Sequence, residues 1–397
     1  MTRFAKWSSF CLFFAATAIA SPAQTFTRLA SFDSANGANP QLMSLVQGSD
    51  GNFYGTTPYG GGAGFGAAFT VSAAGDLTGF CYFRQGECAN GYEPYAGLIQ
   101  ASDGNFYGTT WQGGTNNTGT VFEVTTGGML TVLHNFCSLT NCADGDDPYA
   151  PLLQAANKNF YGTTLNGGTK GYGTVFEITS AGTLTTLHSF LCTDGASPTA
   201  GLIQARNGNF YGTTLYGGAK SAGTVFEITA AGKLKTLHSF GSAGDGAHPY
   251  LGLVQATNGK FYGTTHDGGA HGQGTVFQIT AGGTLTTLHS FCSQKNCADG
   301  ANPYASVIQA SNGNFYGTTS QGGSHQQGTV FEITAAGKLT TLHSFCAKTN
   351  CTDGANPWGG LIQATSGIFY GTTSEGGHYG DGTVFSLSVG LGAGQHD

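Results

Sequence analysis

The sequence has 397 residues, of which 9% are charged, and its formal net charge is −7. A hydrophobic content of 39%, with 12% aromatic residues, indicates packed cores and argues against a disordered chain. The 14 lysine and arginine residues are scattered singly, so the sequence offers no basic stripe and nucleic acid is excluded as an expected partner.

The first 23 residues have the pattern of a secretory signal peptide. Arg3 and Lys6 precede an apolar stretch at 8–19, and the bonds that follow Ala20 and Ala23 are two candidate cleavage sites. The stretch is too short to span a bilayer, and no later run of about 18 apolar residues occurs. We therefore expect a signal peptide at 1–23, a secreted (extracellular or periplasmic) protein, and no membrane span.

Eight of the cysteines form four close pairs, and three of these pairs have the spacing C-x4-C. In an exported chain, close pairs at one place of a repeat are typical of small disulfide clips. A structural zinc site needs four ligands, whereas each loop offers two, so no metal is expected. Cys192 has no partner in its own loop. The predicted disulfides join Cys81 to Cys88, Cys137 to Cys142, Cys292 to Cys297, and Cys346 to Cys351.

A phrase of the form "NFYGTT" begins at 52, 105, 159, 209, 260, 314 and 368, with its first letter changed in two copies. The unit at 303–345 contains four runs of β character: "SVIQA", "FYGTT", "TVFEIT" and "LTTLHSF". The "SNGN" between the first two runs favours a tight hairpin. A four-stranded unit of about 50 residues that occurs seven times is the signature of a β-propeller.

The two ends of the chain indicate how the propeller closes. The last repeat stops after its third strand, and "FTRLASF" at 26–32 matches the missing fourth strand. We therefore expect an all-β, seven-bladed β-propeller at 24–389, in which the N-terminal strand completes the last blade, followed by a tail at 390–397. The expected blades are 41–83, 94–136, 148–190, 198–240, 249–291, 303–345, and 357–389 with 25–32.

The repeat, as in "GLIQASDGNFYGTT…GTVFEVT", resembles the GloVer tandem repeat of secreted bacterial proteins. The resemblance covers nearly all of the expected mature chain. It implies kelch-like propeller blades, and it implies no catalytic residue.

Strand alternation places the second-to-third loops and the inter-blade loops on one rim, which we call the long-loop rim. Loops held by a rigid scaffold commonly carry function, so this rim is the candidate binding face. Its loops carry aromatic residues suited to stacking on sugars or to contact with a protein. The candidates are Tyr59, Trp111, Tyr172, Tyr216 and Tyr379. A second set follows the inter-blade prolines, and for it we expect a gap-filling role, with binding as the alternative: Tyr95, Tyr149, Tyr250, Tyr304 and Trp358.

The same rim carries titratable residues from the fifth to the seventh blade. Histidine with carboxylate can perform acid–base chemistry or bind a transition metal, and solvated loop residues are the alternative interpretation. The candidates are His266, Asp267, His271, His325 and His378, accompanied by His248, Glu375 and Asp381. The histidine of "LHSF", the aspartate of the inter-blade D-G turns and the glutamate of "TVFEIT" recur at fixed positions and are expected to be structural.

These patterns favour a secreted recognition or scaffold module that binds a glycan or a protein through the long-loop rim. One alternative is a hydrolase or lyase that uses the loop histidines and acids of the fifth to seventh blades. Another is a self-assembling extracellular structural protein. No catalytic residue and no cofactor is assigned, because nucleophile elbows, P-loops and H-E-x-x-H motifs are absent from the sequence.

Overall fold

The computed structural model describes residues 24–42, 44–83 and 90–392. Within them, seven four-stranded antiparallel sheets form the blades of one β-propeller. The seven-bladed fold predicted from the sequence is therefore confirmed. The predicted signal peptide at 1–23, Cys88, and residues 393–397 of the predicted tail lie outside the described residues. The described residues include no helix long and apolar enough to cross a bilayer.

Each blade runs from a first strand at the axis to a fourth strand at the periphery. In blade order, the first strands are Val46–Gln47, Ile99–Gln100, Leu153–Gln154, Ile203–Gln204, Val254–Gln255, Ile308–Gln309 and Ile362–Gln363. The second strands are Phe53–Thr57, Phe106–Thr110, Phe160–Thr164, Phe210–Thr214, Phe261–Thr265, Phe315–Thr319 and Phe369–Thr373. The third strands are Ala67–Val71, Thr120–Val124, Thr174–Ile178, Thr224–Ile228, Thr275–Ile279, Thr329–Ile333 and Thr383–Ser388. The fourth strands are Leu77–Tyr82, Leu130–Asn135, Leu184–Ser189, Leu234–Ser239, Leu285–Ser290, Leu339–Ser344 and, in the seventh blade, Thr25–Ser31.

The N-terminal strand closes the ring as the sequence predicted. It pairs antiparallel with the third strand of the seventh blade, with Phe26 opposite Leu387. Phe32, directly after this strand, is fully buried and meets Phe69 of the first blade edge-on, at 4.9 Å between ring centroids. The first and seventh blades are therefore held together by both ends of the chain.

Neighbouring blades are joined by the two aromatic residues of the repeated "FYGTT" strand. Successive strand residues point to opposite faces, so each phenylalanine packs towards one neighbouring blade and each tyrosine towards the other. The tyrosine of one blade packs on the phenylalanine of the next, with ring centroids 3.9–4.3 Å apart, and the last pair returns to the first blade. The pairs are Tyr54–Phe106, Tyr107–Phe160, Tyr161–Phe210, Tyr211–Phe261, Tyr262–Phe315, Tyr316–Phe369 and Tyr370–Phe53.

The glycine of this strand is required by the close packing of the sheets. A Cβ atom at Gly212 would lie 2.7 Å from Cζ of Phe226, which is closer than packed carbon atoms approach.

The recurrent third-strand glutamates are structural, as expected from their register. Glu177, for example, accepts hydrogen bonds from the Asn159 amide and the Tyr161 hydroxyl of its own blade.

On the rim opposite the long loops, a belt of glutamines joins every blade to the preceding one. Each glutamine ends a first strand, and its Oε1 accepts the backbone N–H of a residue in the preceding blade's first turn at 2.8–3.0 Å. Each accepted bond replaces a water contact with a fixed link between sheets, so the belt adds a second means of closing the ring. The glutamines are Gln47, Gln100, Gln154, Gln204, Gln255, Gln309 and Gln363.

An apolar cavity of about 420 Å³ runs along the propeller axis. Aliphatic residues, glycines and two serines in and just before the first strands line it, with contributions from all seven blades. Ile99, Ile203 and Ile308 are examples. Between the first strands, the axis is therefore neither filled by side chains nor lined by charge.

Five inter-blade loops are held by an aspartate, buried in four of them, that pairs with the histidine of "LHSF". This pairing explains why both residues recur at fixed positions of the repeat. The structural role expected for the histidine and the one expected for the aspartate are the same contact. The predicted disulfides Cys137–Cys142, Cys292–Cys297 and Cys346–Cys351 are present in three of these loops. Neither Cys81 nor Cys192 has a disulfide partner among the described residues. The histidine–aspartate pairs of the inter-blade loops are His134–Asp144, His188–Asp194, His238–Asp245, His289–Asp299 and His343–Asp353.

Asp299 shows how such a loop responds to acid. Its carboxylate accepts hydrogen bonds from the Ser293 hydroxyl at 2.7 Å and from the backbone N–H groups of Ser293 and Gln294. Burial alone would raise the pKa of Asp299, but these bonds and His289 lower it below the ordinary aspartate value. The ionised carboxylate is therefore stabilised by the folded state.

We expect Asp299→Asn to lower the free energy of unfolding by about 1–3 kcal/mol near neutral pH. Because the folded pKa is depressed, this contribution is complete above the unfolded pKa of about 4 and is lost as pH falls through the folded pKa. Urea unfolding of the wild type and the variant across the acid range measures the difference. A difference that stayed unchanged down to strongly acidic pH would contradict the assignment.

Candidate binding site at the axial end of the long-loop rim

Two segments of each blade meet on the long-loop rim next to the axis. One contains the residues before and after the inter-blade proline, and the other begins with the residue that follows the second strand. We call the surface formed by these positions the axial face. The residues before proline all have φ between +50° and +56°: Asn39, Glu93, Asp147, Ser197, His248, Asn302 and Asn356. The residues after the second strands are Pro58, Trp111, Leu165, Leu215, His266, Ser320 and Ser374.

In the sixth and seventh blades, asparagine and serine at these positions satisfy each other. The hydroxyls of Ser320 and Ser374 donate to the carbonyls of Asn302 and Asn356 at 2.8 Å. Asn302 also donates to the His266 carbonyl of the fifth blade, at 3.2 Å. This combination uses its polar groups within the scaffold and leaves few of them for a ligand.

The second to fifth blades, which are neighbours in the ring, have neither the asparagine nor the serine, whereas the first blade keeps Asn39 and has Pro58 in place of serine. Their pairs are Glu93 with Trp111, Asp147 with Leu165, Ser197 with Leu215, and His248 with His266. Asparagine tolerates positive φ better than glutamate or serine, so Glu93 and Ser197 keep a backbone conformation that is unfavourable for their residue types. Residues held in unfavourable conformations cluster at functional sites.

These four blades enclose a cavity of about 260 Å³, which we call the axial cavity. Aromatic rings form most of its wall, and hydroxyl groups supply the polar part. In the fourth blade the position after proline holds Thr199, where five other blades have an aromatic residue, and this smaller side chain leaves the space open. The lining residues are Tyr95, Trp111, Tyr149, Leu165, Ser197, Thr199, Leu215, Tyr216 and Tyr250.

The aromatic residues after the prolines contact one another over the axis. Ring centroids lie 5.1 Å apart for Tyr95 and Tyr149, 4.9 Å for Tyr250 and Tyr304, and 4.7 Å for Tyr304 and Trp358. Tyr149 and Tyr250, each with a phenolic hydroxyl, line the same cavity although their blades are not neighbours. Burial raises the pKa of both hydroxyls, so they remain protonated and can donate. In the sequence, the members of this cluster share one position of the repeat, directly after the inter-blade proline.

Beside the axial cavity, Asp267 links two histidines of the fifth blade. Its carboxylate oxygens lie 2.8 Å from Nδ1 of His248 and 2.8 Å from Nδ1 of His266. A carboxylate accepts, so both Nδ1 atoms carry the proton, and in the neutral imidazoles each Nε2 is left with a free lone pair. The His266 ring lies 4.4 Å from the Tyr304 ring.

The other titratable residues predicted for the rim do not join this group. His271 and His325 are exposed on the outer loops of the fifth and sixth blades. Nε2 of His378 lies 2.7 Å from the Arg28 guanidinium in the seventh blade. The described residues contain no group of three or more histidine, cysteine or carboxylate side chains that could hold a metal ion.

The predicted aromatic residues also fall into two groups, one at the axial cavity and one on the outer loops. Trp111 and Tyr216 line the axial cavity, and the Tyr59 hydroxyl lies 2.6 Å from that of Tyr95. Tyr172 and Tyr379 are exposed on outer loops. The structure therefore brings together only the aromatic residues closest to the second strands.

The fold and the axial face define the protein as a seven-bladed β-propeller with a blade-specific cavity on its long-loop rim. Matches to the Gloeobacter/Verrucomicrobia repeat cover residues 15–143, 138–297 and 292–393, so the chain belongs to this repeat family. Comparison with curated protein sequences finds no match.

Several solved structures share the fold. A streptogramin B lyase is 13% identical with a TM-score of 0.60, over 92% of this chain and 97% of that chain. Virginiamycin B lyase from Staphylococcus aureus is 11% identical with a TM-score of 0.59, over 92% and 99%. PorZ, a surface component of the type-IX secretion system of Porphyromonas gingivalis, is 14% identical with a TM-score of 0.56, over 89% and 46%. At these identities the likeness concerns the fold alone.

Proposed function

We propose that the protein is a recognition module that binds a glycan by inserting a sugar ring into the axial cavity. The observation that carries this proposal is the wall of Tyr95, Trp111, Tyr149 and Tyr250 around a space left open by Thr199. Flat rings suit the apolar faces of sugars, and the hydroxyls around them suit sugar hydroxyls. The cavity is smaller than the roughly 300–1,000 Å³ of pockets for drug-sized ligands, which matches one sugar unit.

Trp111 supplies a further reason to expect a polar ligand. Its Nε1 is buried and has no hydrogen-bond partner among the described residues. Buried donors are nearly always paired in folded proteins, and an unpaired one costs about 1–3 kcal/mol. Because Nε1 is closed to solvent in the unliganded protein, a sugar oxygen reaches it, and removes that cost, only when the indole turns towards the cavity.

We propose further that this recognition occurs outside the cytoplasm. The three disulfides of the inter-blade loops support an oxidising location. The signal peptide predicted at 1–23 is consistent with it. A low charged fraction and a rigid closed ring suit a module that presents one binding face.

A glycan array probed with the mature chain tests the proposal. We expect Trp111→Ala to weaken binding by about 10- to 100-fold, because it removes one aromatic wall and a donor from the centre of the site. Tyr379→Ala removes an aromatic ring that is 69% exposed on an outer loop, so this matched variant keeps the wild-type profile. Equal loss in both variants, or no glycan bound by the wild type, contradicts the proposal.

A further inference from the structure

Among the described residues, the carboxylates around the axial cavity have no lysine or arginine as ion-pair partner. Glu93, Asp147 and Asp267 stand on the second, third and fifth blades, and the cavity lining contains neither lysine nor arginine. Every ion pair of the described residues joins a histidine to an aspartate. The axial face therefore combines aromatic rings with negative charge.

Glu93 is the carboxylate whose surroundings are most informative. Burial raises the pKa of Glu93, which means that its charged form is left partly desolvated. Burial, Tyr59 and the Glu93 carboxylate also raise the pKa of Tyr95, so Glu93 acts electrostatically on a residue of the cavity wall. A positive group placed at the cavity mouth would stabilise the ionised glutamate.

On the third blade, Asp146 and Asp147 are also carboxylates that burial leaves partly desolvated. Burial raises the pKa of Asp147, and burial together with the neighbouring Asp147 raises that of Asp146. Asp147 accepts one hydrogen bond from the Asn166 amide, at 2.9 Å, and its backbone carbonyl holds the cavity residue Leu165. An anionic ligand would be repelled here, and a cationic ligand would be attracted.

The aromatic walls favour the same sign of charge. The faces of tryptophan and tyrosine attract cations, by about 0.5–1 kcal/mol at exposed sites and about 2 kcal/mol when the cation is desolvated. Trp111, Tyr95, Tyr149 and Tyr250 surround the axial cavity within reach of a ligand that enters it. Aromatic faces and carboxylates thus act together on one group.

We infer that the ligand of the axial cavity carries a protonated amine, and that it is a glycan of amino-sugar units. The inference rests on the proposed glycan function, because the aromatic-walled cavity selects the sugar while Glu93 and the aromatic faces select its amine. A lysine side chain offers the same charge, but its narrow stem would leave the space at Thr199 unfilled.

Titration of the mature chain with two matched oligosaccharides tests the inference. A glucosamine tetramer and an N-acetylglucosamine tetramer have the same backbone, and only the first is cationic slightly below neutral pH. We expect the glucosamine tetramer to bind about tenfold more tightly than its acetylated counterpart and to weaken as salt is added. Glu93→Gln should reduce the preference several-fold, because Asp147, Asp267 and the aromatic faces remain, whereas Asp76→Asn, the same charge change on the opposite rim, should keep it in full.

The outcomes separate the inference from the proposed function. Equal or tighter binding of the acetylated tetramer overturns the amine preference and leaves glycan binding intact. A lysine tripeptide that binds as tightly as the glucosamine tetramer overturns the amino-sugar assignment in favour of a peptide. Binding of a different, uncharged glycan on the array with neither tetramer bound also overturns the inference, and an array with nothing bound removes the proposed function as well.

Discussion

Replacing Phe32 with alanine should lower the free energy of unfolding by about 3–5 kcal/mol, the usual cost of removing a buried aromatic ring. Phe32 directly follows the strand Thr25–Ser31, near the start of the described chain, where a truncation is often harmless. In the closed ring, however, it is fully buried between the seventh and first blades, against Phe69. Urea unfolding followed by far-UV circular dichroism measures the loss.

Phe240→Ala is the matched control for that experiment. Phe240 occupies the same position in a blade made from continuous chain, and its ring lies 5.2 Å from Phe277. If the N-terminal strand closes the ring, the two substitutions should cost similar amounts. A loss below about 1 kcal/mol at Phe32, beside a full loss at Phe240, would mean that the ring is open.

Thr199→Tyr should remove glycan binding by about 100-fold or more while the fold is retained. The neighbouring blades already have tyrosine at the equivalent position, as Tyr149 and Tyr250, so the scaffold accommodates a tyrosine there. The new ring would fill the axial cavity, and a ligand cannot enter a site already occupied by a side chain. Isothermal titration with a glycan selected on the array measures the affinity, and the thermal midpoint reports the fold.

Thr199→Ser controls for the loss of threonine itself. The Thr199 hydroxyl donates to the Tyr250 carbonyl at 2.6 Å, and serine keeps both this bond and the open space. We expect this variant to bind within a few-fold of the wild type. Equal binding by Thr199→Tyr and Thr199→Ser would place the ligand elsewhere.

The blade and its closure could be predicted from the sequence because they depend on local order. Adjacent phenylalanine and tyrosine in "FYGTT" must point to opposite faces, and this alternation required a sheet buried on both sides. The match of "FTRLASF" to "LTTLHSF" identified the closing strand in the same way. The first inference uses residues within one strand, and the second compares the N-terminal segment with the fourth strands of complete repeats.

The glutamine belt and the pairing of His289 with Asp299 could not be predicted from the repeat alone. Each bond joins residues whose separation is set by the fold, either the step from one blade to the next or the path of an inter-blade loop. Gln204 and Asp299 recur at fixed repeat positions, which marks them as structural without indicating a partner. The geometry of the ring was needed to supply the partners.

The sequence placed the candidate site on the variable loops of the long-loop rim, whereas the cavity found in the structure lies on the same rim but nearer to the axis. The sequence drew attention to the variable loops that carry Tyr172 and Tyr379, and the structure leaves both exposed. Tyr149 and Tyr250 line one cavity because the third, fourth and fifth blades converge at the axis, a relation that a single repeat does not contain. The signal that was present lay in the residues flanking proline, where Glu93 and His248 replace the asparagine of other blades.

A crystal structure of the protein with the tightest-binding oligosaccharide from the array tests glycan recognition at the axial cavity most directly. We expect a sugar ring between Trp111 and Tyr250, with one of its oxygens within hydrogen-bond distance of Trp111 Nε1. Density for the sugar on the outer loops beside Tyr172 or Tyr379, with the axial cavity empty, would contradict this assignment.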